Sequence, residues 1–358
     1  SVAGVLCNIT PVNKLKQVVE LSVRTCFEQA LKFTQLSIAD KFTPDVLATK
    51  VVKGHGGHLE LTEQGTLDIR EWQGWLSAQA MTLEILAYVC GKCEETMSEQ
   101  GGMSDIPVSV IMQVIGLYDN IASLCQLDND KMTAVVIAVP VLEQSLRQMV
   151  HVQSLALACL NNVVLAAPDL PGSPDTLWQF ICTVLARYMT TTPDMDTLED
   201  LTSILWTLLR RVEENLSAVN PSEPQVAALT QVATQSSFGQ VRANTIGCLG
   251  ILARKIHNNK TQLAALAEIF LRGLTDSEPS VVAEALNAIF DNFAEVNNND
   301  VFAKLGMMPL LMQSGANAEK WLQEQSVKGE TSNFTFARME EAFENLQSFV
   351  DYKKQQNM

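Results

Sequence analysis

Apolar residues recur along this chain at three- and four-residue intervals, and runs alternating apolar with polar are nearly absent, so the pattern predicts helices throughout. The spacing places them at about 12–38, 70–92, 106–126, 130–147, 150–166, 174–190, 195–216, 222–235, 239–257, 260–274, 278–296, 300–313 and 334–356. One helix, SVVAEALNAIFDNFAE (280–295), carries alanine and asparagine where an isolated amphipathic helix would carry lysine and glutamate. QVRANTIGCLGILARK (240–255) repeats its skeleton: Val241, Ala243, Ile246 and Leu249 fall where Val281, Ala283, Leu286 and Ile289 fall. Two copies of one helix at that separation indicate a repeat protein.

Other copies follow. VQSLALACLNNVV (152–164) and AQAMTLEILAYV (78–89) carry the same inner-helix pattern, and SVAGVLCNI (1–9) reads as the tail of a fifth. Helices therefore pair at roughly 40 to 45 residues per unit, the length of HEAT and armadillo repeats. Small residues recur on the seam (Ala156, Ala158, Ala243, Gly247, Ala285, Ala288), which lets neighbouring helices approach closely. The expected fold is all-α, a right-handed α-solenoid of HEAT/armadillo-like repeats. Turns punctuate it at TTTPDMD (190–196), VNPSEP (219–224) and DSEPS (276–280), and Pro174 and Asp175 open a helix in PGSPDTLW. Two stretches break the rhythm: TKVVKGHGGHLELTEQGTLD (49–68), Gly-rich with a faint strand-like run, and the acidic CGKCEETMSEQGGMSD (90–105). The organisation expected is repeats over 1–92 with an insertion at about 49–68, a short acidic loop over 93–105, repeats over 106–330, and a terminal capping helix over 331–358. The start at SVAGVLCNI has the look of a repeat interior rather than a signal peptide, so the chain reads as lacking its natural beginning.

Composition narrows the function. Hydrophobic residues make up 47% of 358 and charged residues 18%, so there is no compositional case for disorder. The longest apolar runs, such as TAVVIAVPVL (133–142), are too short to span a bilayer. The net charge of −15 disfavours direct nucleic-acid binding, which needs clustered Lys and Arg. The eight cysteines sit mostly inside apolar helix patterns (Cys26, Cys125, Cys159, Cys182, Cys248), as reduced cysteine does in cytosolic or nuclear proteins.

Candidate chemistry is sparse. His55 and His58 form an HxxH and Cys90 and Cys93 a CxxC, together enough for a tetrahedral zinc site if the pairs met, but a CxxC after a helix is more often coincidence. No nucleophile elbow, P-loop, dinucleotide fingerprint or zincin motif is present, so neither catalysis nor a cofactor is expected. His151 and His257 fall near helix ends, and the carboxylate pairs Glu213–Glu214 and Glu340–Glu341 read as solvated.

The sharper signal is charge distribution. From Gly273 to Ala303 there is no Lys or Arg, against six Asp or Glu. Between Gln148 and Val241 only Arg187, Arg210 and Arg211 are basic, against nine Asp or Glu. Glu284, Asn287, Asp291 and Glu295 share one stripe of a second helix, which in a solenoid lines the concave side. Asn161, Asn162, Asn244 and Trp206 occupy equivalent or nearby positions, where amides can pin a peptide backbone and an aromatic can wall off its side chains. Such a groove selects cationic polypeptide.

WLSAQAMTLEILAYVC (75–90), VRANTIGCLGILA (241–253), VVAEALNAIFDNFAE (281–295) and the closing NFTFARMEEAFENLQSFVDYKKQ (333–355) resemble, in that order, the carboxy-terminal half of the symportin family, known in animals as HEAT repeat-containing protein three. The aromatic-bearing closing helix is the most specific of these. The resemblance implies an adaptor of cytoplasm and nucleus. It would escort basic 5S-rRNA-associated large-subunit ribosomal proteins into the nucleus for ribosome assembly, and meet an import receptor through an amino-terminal part absent here. Family members carry a long acidic loop after the helix ending near Cys90, and this chain offers only Glu94, Glu95, Glu99 and Asp105 in that place. The rival readings are a scaffold subunit of another complex and a metal-dependent enzyme built on the HxxH and CxxC pairs.

Overall fold

The computed structural model describes residues 49–53, 59–97, 140–166, 173–189, 195–256, 259–328 and 333–356. The chain divides into two compact units, 1–172 and 173–358.

In the first unit two short strands, β1 (Val51–Lys53) and β2 (Leu59–Leu61), pair antiparallel, with Val51 opposite Leu61. Helix α1 (Glu63–Met97) follows at once, so its first turns replace the tail of the expected insertion and its last turn replaces the start of the expected acidic loop. Lys50 and Asp68, both buried, pair at 2.5 Å and tie the strand pair to α1. Helix α2 (Pro140–Ala166) runs through the break expected between 147 and 150. α1 and α2 pack on one another, burying Ile69, Trp72, Leu76 and Leu83 from one and Val152, Leu157, Leu160 and Val164 from the other.

The second unit is an all-α repeat solenoid. Its outer helices are α3 (Pro174–Tyr188), α5 (Glu223–Gln235) and α7 (Lys260–Gly273), which alternate along the chain with inner helices α4 (Met195–Arg211), α6 (Gly239–Lys255) and α8 (Pro279–Phe293). α6 packs between α4 and α8, so the inner helices form one continuous layer. The skeleton legible in sequence is the buried seam: Val241, Ala243, Ile246 and Leu249, and Val281, Ala283, Leu286 and Ile289, are each at most 1% exposed. Burying each large aliphatic side chain contributes about 1.5–3 kcal/mol. Close approach is built in at Gly250, where a Cβ would sit 2.8 Å from the Ala288 Cβ.

Polar groups fasten the layer. Asn244 donates to Thr202 Oγ1 at 3.3 Å, joining α6 to α4, and Asn292 donates to the Gly250 carbonyl at 2.9 Å, joining α8 to α6. Arg242 grips Asp276 with two bonds of 2.9 and 2.6 Å. Asp175 stands in the first turn of α3, behind Pro174, and its carboxylate also accepts the Asn220 backbone N–H at 2.7 Å in the turn before α5.

Beyond α8, the expected helix at 300–313 is two: α9 (Asn299–Lys304) and α10 (Met307–Lys328), separated by Gly306 at φ 59°. The last helix, α11 (Asn333–Gln355), packs on α8 and α10. Its C-terminal half is anchored by Phe349, whose ring lies 5.0 Å from Phe290 and 6.0 Å from Phe302, and by Lys353. That lysine is fully buried, donates to Asn299 Oδ1 at 2.6 Å and to the Ala294 carbonyl at 3.3 Å, and faces the Phe302 ring at 5.4 Å. Burial holds its pKa below the ordinary lysine value.

Candidate functional site

Four helices of the second unit each turn one stripe toward a common cleft of about 720 Å³. α4 contributes Trp206 and Arg210, α6 Gly247, Gly250, Ile251 and Arg254, α8 Glu284, Asn287, Ala288, Phe290 and Asp291, and α11 Arg338, Glu341, Asn345 and Phe349. Within each helix these positions recur every three or four residues, so each stripe is one face of a helix. Glu295, expected inside α8, completes the lining from the turn after it, two residues past its last residue Phe293.

Of the residues singled out in sequence, Trp206, Glu284, Asn287, Asp291 and Glu295 therefore meet at one site. Asn244 does not; it is 4% exposed, receives Gln240 and bonds Thr202, and belongs to the packing of α6 on α4. Asn161 and Asn162 lie half-buried on α2 in the first unit, outside this lining. Glu94 and Glu95 fall in the helical backbone of α1 rather than in a loop. Glu99, Asp105, His55 and His58 lie outside the described residues, as do the side chains of Cys90 and Cys93. Among the described residues no group of three or more His, Cys, Asp or Glu could hold a metal ion.

The electrostatics correct one expectation. The stretch from Gly273 to Ala303 lacks cations of its own, but other segments supply them: Arg242 pairs with Asp276, Lys260 with Asp300, Arg254 with Asp291 at 3.8 Å, and Arg338 with Glu284. Charge is balanced between repeats, so counting charges along one segment overstates its field. Glu284 in particular is 5% exposed and engaged by Arg338, so it is no free carboxylate. Five carboxylates (Glu213, Glu284, Asp291, Glu295, Glu341) and three guanidiniums (Arg210, Arg254, Arg338) line the cleft, which leaves it negative but mixed. Glu213 and Glu341, read from sequence as solvated, belong to it.

Asp291 is the carboxylate most affected by its setting. Burial in the cleft wall raises its pKa above the ordinary aspartate value; Glu213 adds to the rise, and Arg254 and Arg210 oppose it. Arg254 also bonds Glu213 at 2.5 Å, so one guanidinium bridges two carboxylates from different repeats. Trp206 carries two guanidiniums, Arg210 and Arg338, each 5.0 Å from its ring. The indole fits because position 247 has no side chain: a Cβ there would lie 2.4 Å from Trp206 Nε1. Sequence reasoning missed Gly247 as a site residue, and Gly250, Arg254 and Arg338 altogether. The two glycines on one face of an inner helix were the available signal.

A family model described as SYO1-like, TPR repeats, matches residues 107–357, well over half of the chain. The chain belongs to that family. This SYO1-like assignment agrees with the symportin resemblance of the inner and closing helices. A curated relative, the armadillo repeat protein Syo2 of Schizosaccharomyces pombe, described as involved in nucleocytoplasmic transport, is 29% identical over 160 residues. The match covers 42% of this chain and 23% of that protein's length. Two engineered proteins of known crystal structure overlap at TM-scores of 0.38 and 0.36, with 18% and 14% identity. They cover 73% and 96% of this chain and 97% and 98% of their own, and at that overlap they carry no argument. In this SYO1-like chain the inner helices α6 and α8 start at 239 and 279, 40 positions apart. That is HEAT or armadillo spacing rather than the roughly 34 residues of a TPR unit.

Proposed function

We propose that this chain is the client-binding part of a nucleocytoplasmic transport adaptor. On this reading the cleft of the second unit holds a basic, extended segment of a 5S-rRNA-associated large-subunit ribosomal protein. The adaptor escorts it from cytoplasm to nucleus for ribosome assembly, together with an import receptor. The single observation that carries the reading is the convergence of Trp206, Asn287, Asp291 and Glu295 on one inner-helix cleft with a surplus of carboxylates. Family membership and the transport role in the description of Syo2 point the same way. Asn287, half-buried at mid-cleft, offers a donor and an acceptor to a passing backbone, and the half-exposed carboxyl of Asp291 and the exposed one of Glu295 favour Lys and Arg side chains. The function is binding, with no covalent step.

The test is affinity capture from cell lysate with the intact chain and with Asp291→Lys, Glu295→Lys and Glu341→Lys combined. Each exposed pair is worth under about 1 kcal/mol, so three reversals together are needed for a clear loss. Recovery of large-subunit ribosomal proteins by the intact chain, at least tenfold reduced by the reversal, is the expected result (about 1.4 kcal/mol). Equal recovery by both, or a stable complex containing no ribosomal protein, overturns the reading.

A further inference from the structure

Glu284 is a buried carboxylate on the inner face of a repeat, where an isolated negative charge is costly and a cation partner is required. Its partner comes from far along the chain, from Arg338 near the start of α11. The same guanidinium lies 5.0 Å from the Trp206 ring on α4. Arg338 thus joins α11 to α4 and α8 across the floor that α6 makes with Gly247 and Gly250.

We infer that Trp206, Gly247 and Glu284 form a guanidinium seat, that Arg338 fills it in the unliganded chain, and that an arginine of the client takes its place. The inference rests on the cleft being the client site. Three features select arginine. A planar guanidinium stacks on an indole while its edge donates to a carboxylate, which a lysine ammonium cannot do in one pose. Gly247 holds the ring and the carboxylate together, since a Cβ there would sit 2.4 Å from Trp206 Nε1 and 3.0 Å from Glu284 Oε2. And α11 is held without Arg338, since at that end Phe336 meets the Trp321 ring at 6.3 Å and Met339 is buried. Lys353 and Phe349 fix its C-terminal half in a polar and aromatic cage. At the Arg338 end two guanidiniums crowd one ring, and burial together with Arg210 holds the Arg338 pKa below its ordinary value, with Glu341 opposing. Release of Arg338 relieves that crowding while the far end of α11 stays anchored.

The test is fluorescence anisotropy of labelled peptides alternating glycine with arginine, lysine or glutamate, on the full chain. If Arg338 occupies the seat most of the time, it taxes apparent affinity by the free fraction, so Arg338→Ala binds the arginine peptide about tenfold tighter. The intact chain favours arginine over lysine, and Trp206→Leu removes that preference while lysine binding persists. Arg338→Gln, which keeps the aliphatic stem, tightens arginine binding too and serves in place of Arg338→Ala should that variant melt lower. Unchanged or weaker arginine binding in both Arg338 variants, with lysine and arginine still preferred over glutamate, overturns the seat and leaves the cleft standing. Failure of the intact chain and both Arg338 variants to prefer either cationic peptide over glutamate overturns the seat and the cleft together.

Discussion

α6 and α8 are two copies of one helix set to different work. Their buried seams match residue for residue, from Val241 with Val281 to Leu249 with Ile289. Their cleft faces do not match. Where α6 has Gly247, Gly250 and Ile251, α8 has Asn287, Phe290 and Asp291. The first copy is a low floor that lets α8 and Trp206 come close; the second is a wall of carboxylate, amide and ring. Repeats agree where they pack and diverge where they bind. The positions that break the repeat are therefore the ones to alter.

The largest effect belongs to the floor. Gly250→Val drives a side chain into Ala288 between two buried helices, and lowers the free energy of unfolding by about 2–3 kcal/mol. A chemical-denaturation midpoint equal to that of the intact chain would show that the floor is not closely packed, and would erase the distinction between the two copies.

Next comes Arg242, whose counterpart in α8 is Val282. Burial by itself works against the charged form of Asp276, but the hydrogen bonds and charge of Arg242, with backbone N–H groups, prevail and hold its pKa below the ordinary value. A depressed carboxylate contributes stability that is present above its unfolded value and lost as pH falls through its folded value. Arg242→Ala accordingly costs about 1–2 kcal/mol at neutral pH. It also flattens the loss of stability below the ordinary aspartate range. Denaturation curves at neutral and acid pH check both signs.

Asp291 gives a smaller effect of the opposite sense. Its raised pKa means that it takes up a proton at higher pH than an ordinary aspartate. Affinity for a cationic peptide therefore begins to fade above the usual aspartate range. Asp291→Asn weakens binding at neutral pH about three- to fivefold, the size of a partly exposed ion pair, and removes that part of the pH profile. Smallest of all, Glu295→Gln leaves stability within about 0.5 kcal/mol of the intact chain, since Glu295 is exposed and beyond the helix end. A larger change would assign Glu295 to packing.

What the sequence made legible follows from where periodicity is enforced. Helix type, pairing and the buried seam were readable because leucine, valine and alanine on one face have no other use. So was a stripe of polar residues on α8. The partner of each polar group was not readable, because it comes from another repeat: Arg254 bridges Glu213 and Asp291, and Arg338 reaches Glu284 from α11. Asn244 and Asn287 look alike in sequence. One is spent on Thr202 inside the layer, and the other stands in the cleft. They stand at different positions of the repeat, Asn244 where α8 has Glu284 and Asn287 where α6 has Gly247.

The most direct measurement is photo-crosslinking of the intact chain with an arginine–glycine peptide bearing a benzophenone, followed by mapping of the attached fragments. Attachment on the inner helices, within 195–211, 239–255, 279–295 and the start of α11, is the result required by a cleft that receives cationic polypeptide. Attachment confined to the outer helices α3, α5 and α7 would contradict it.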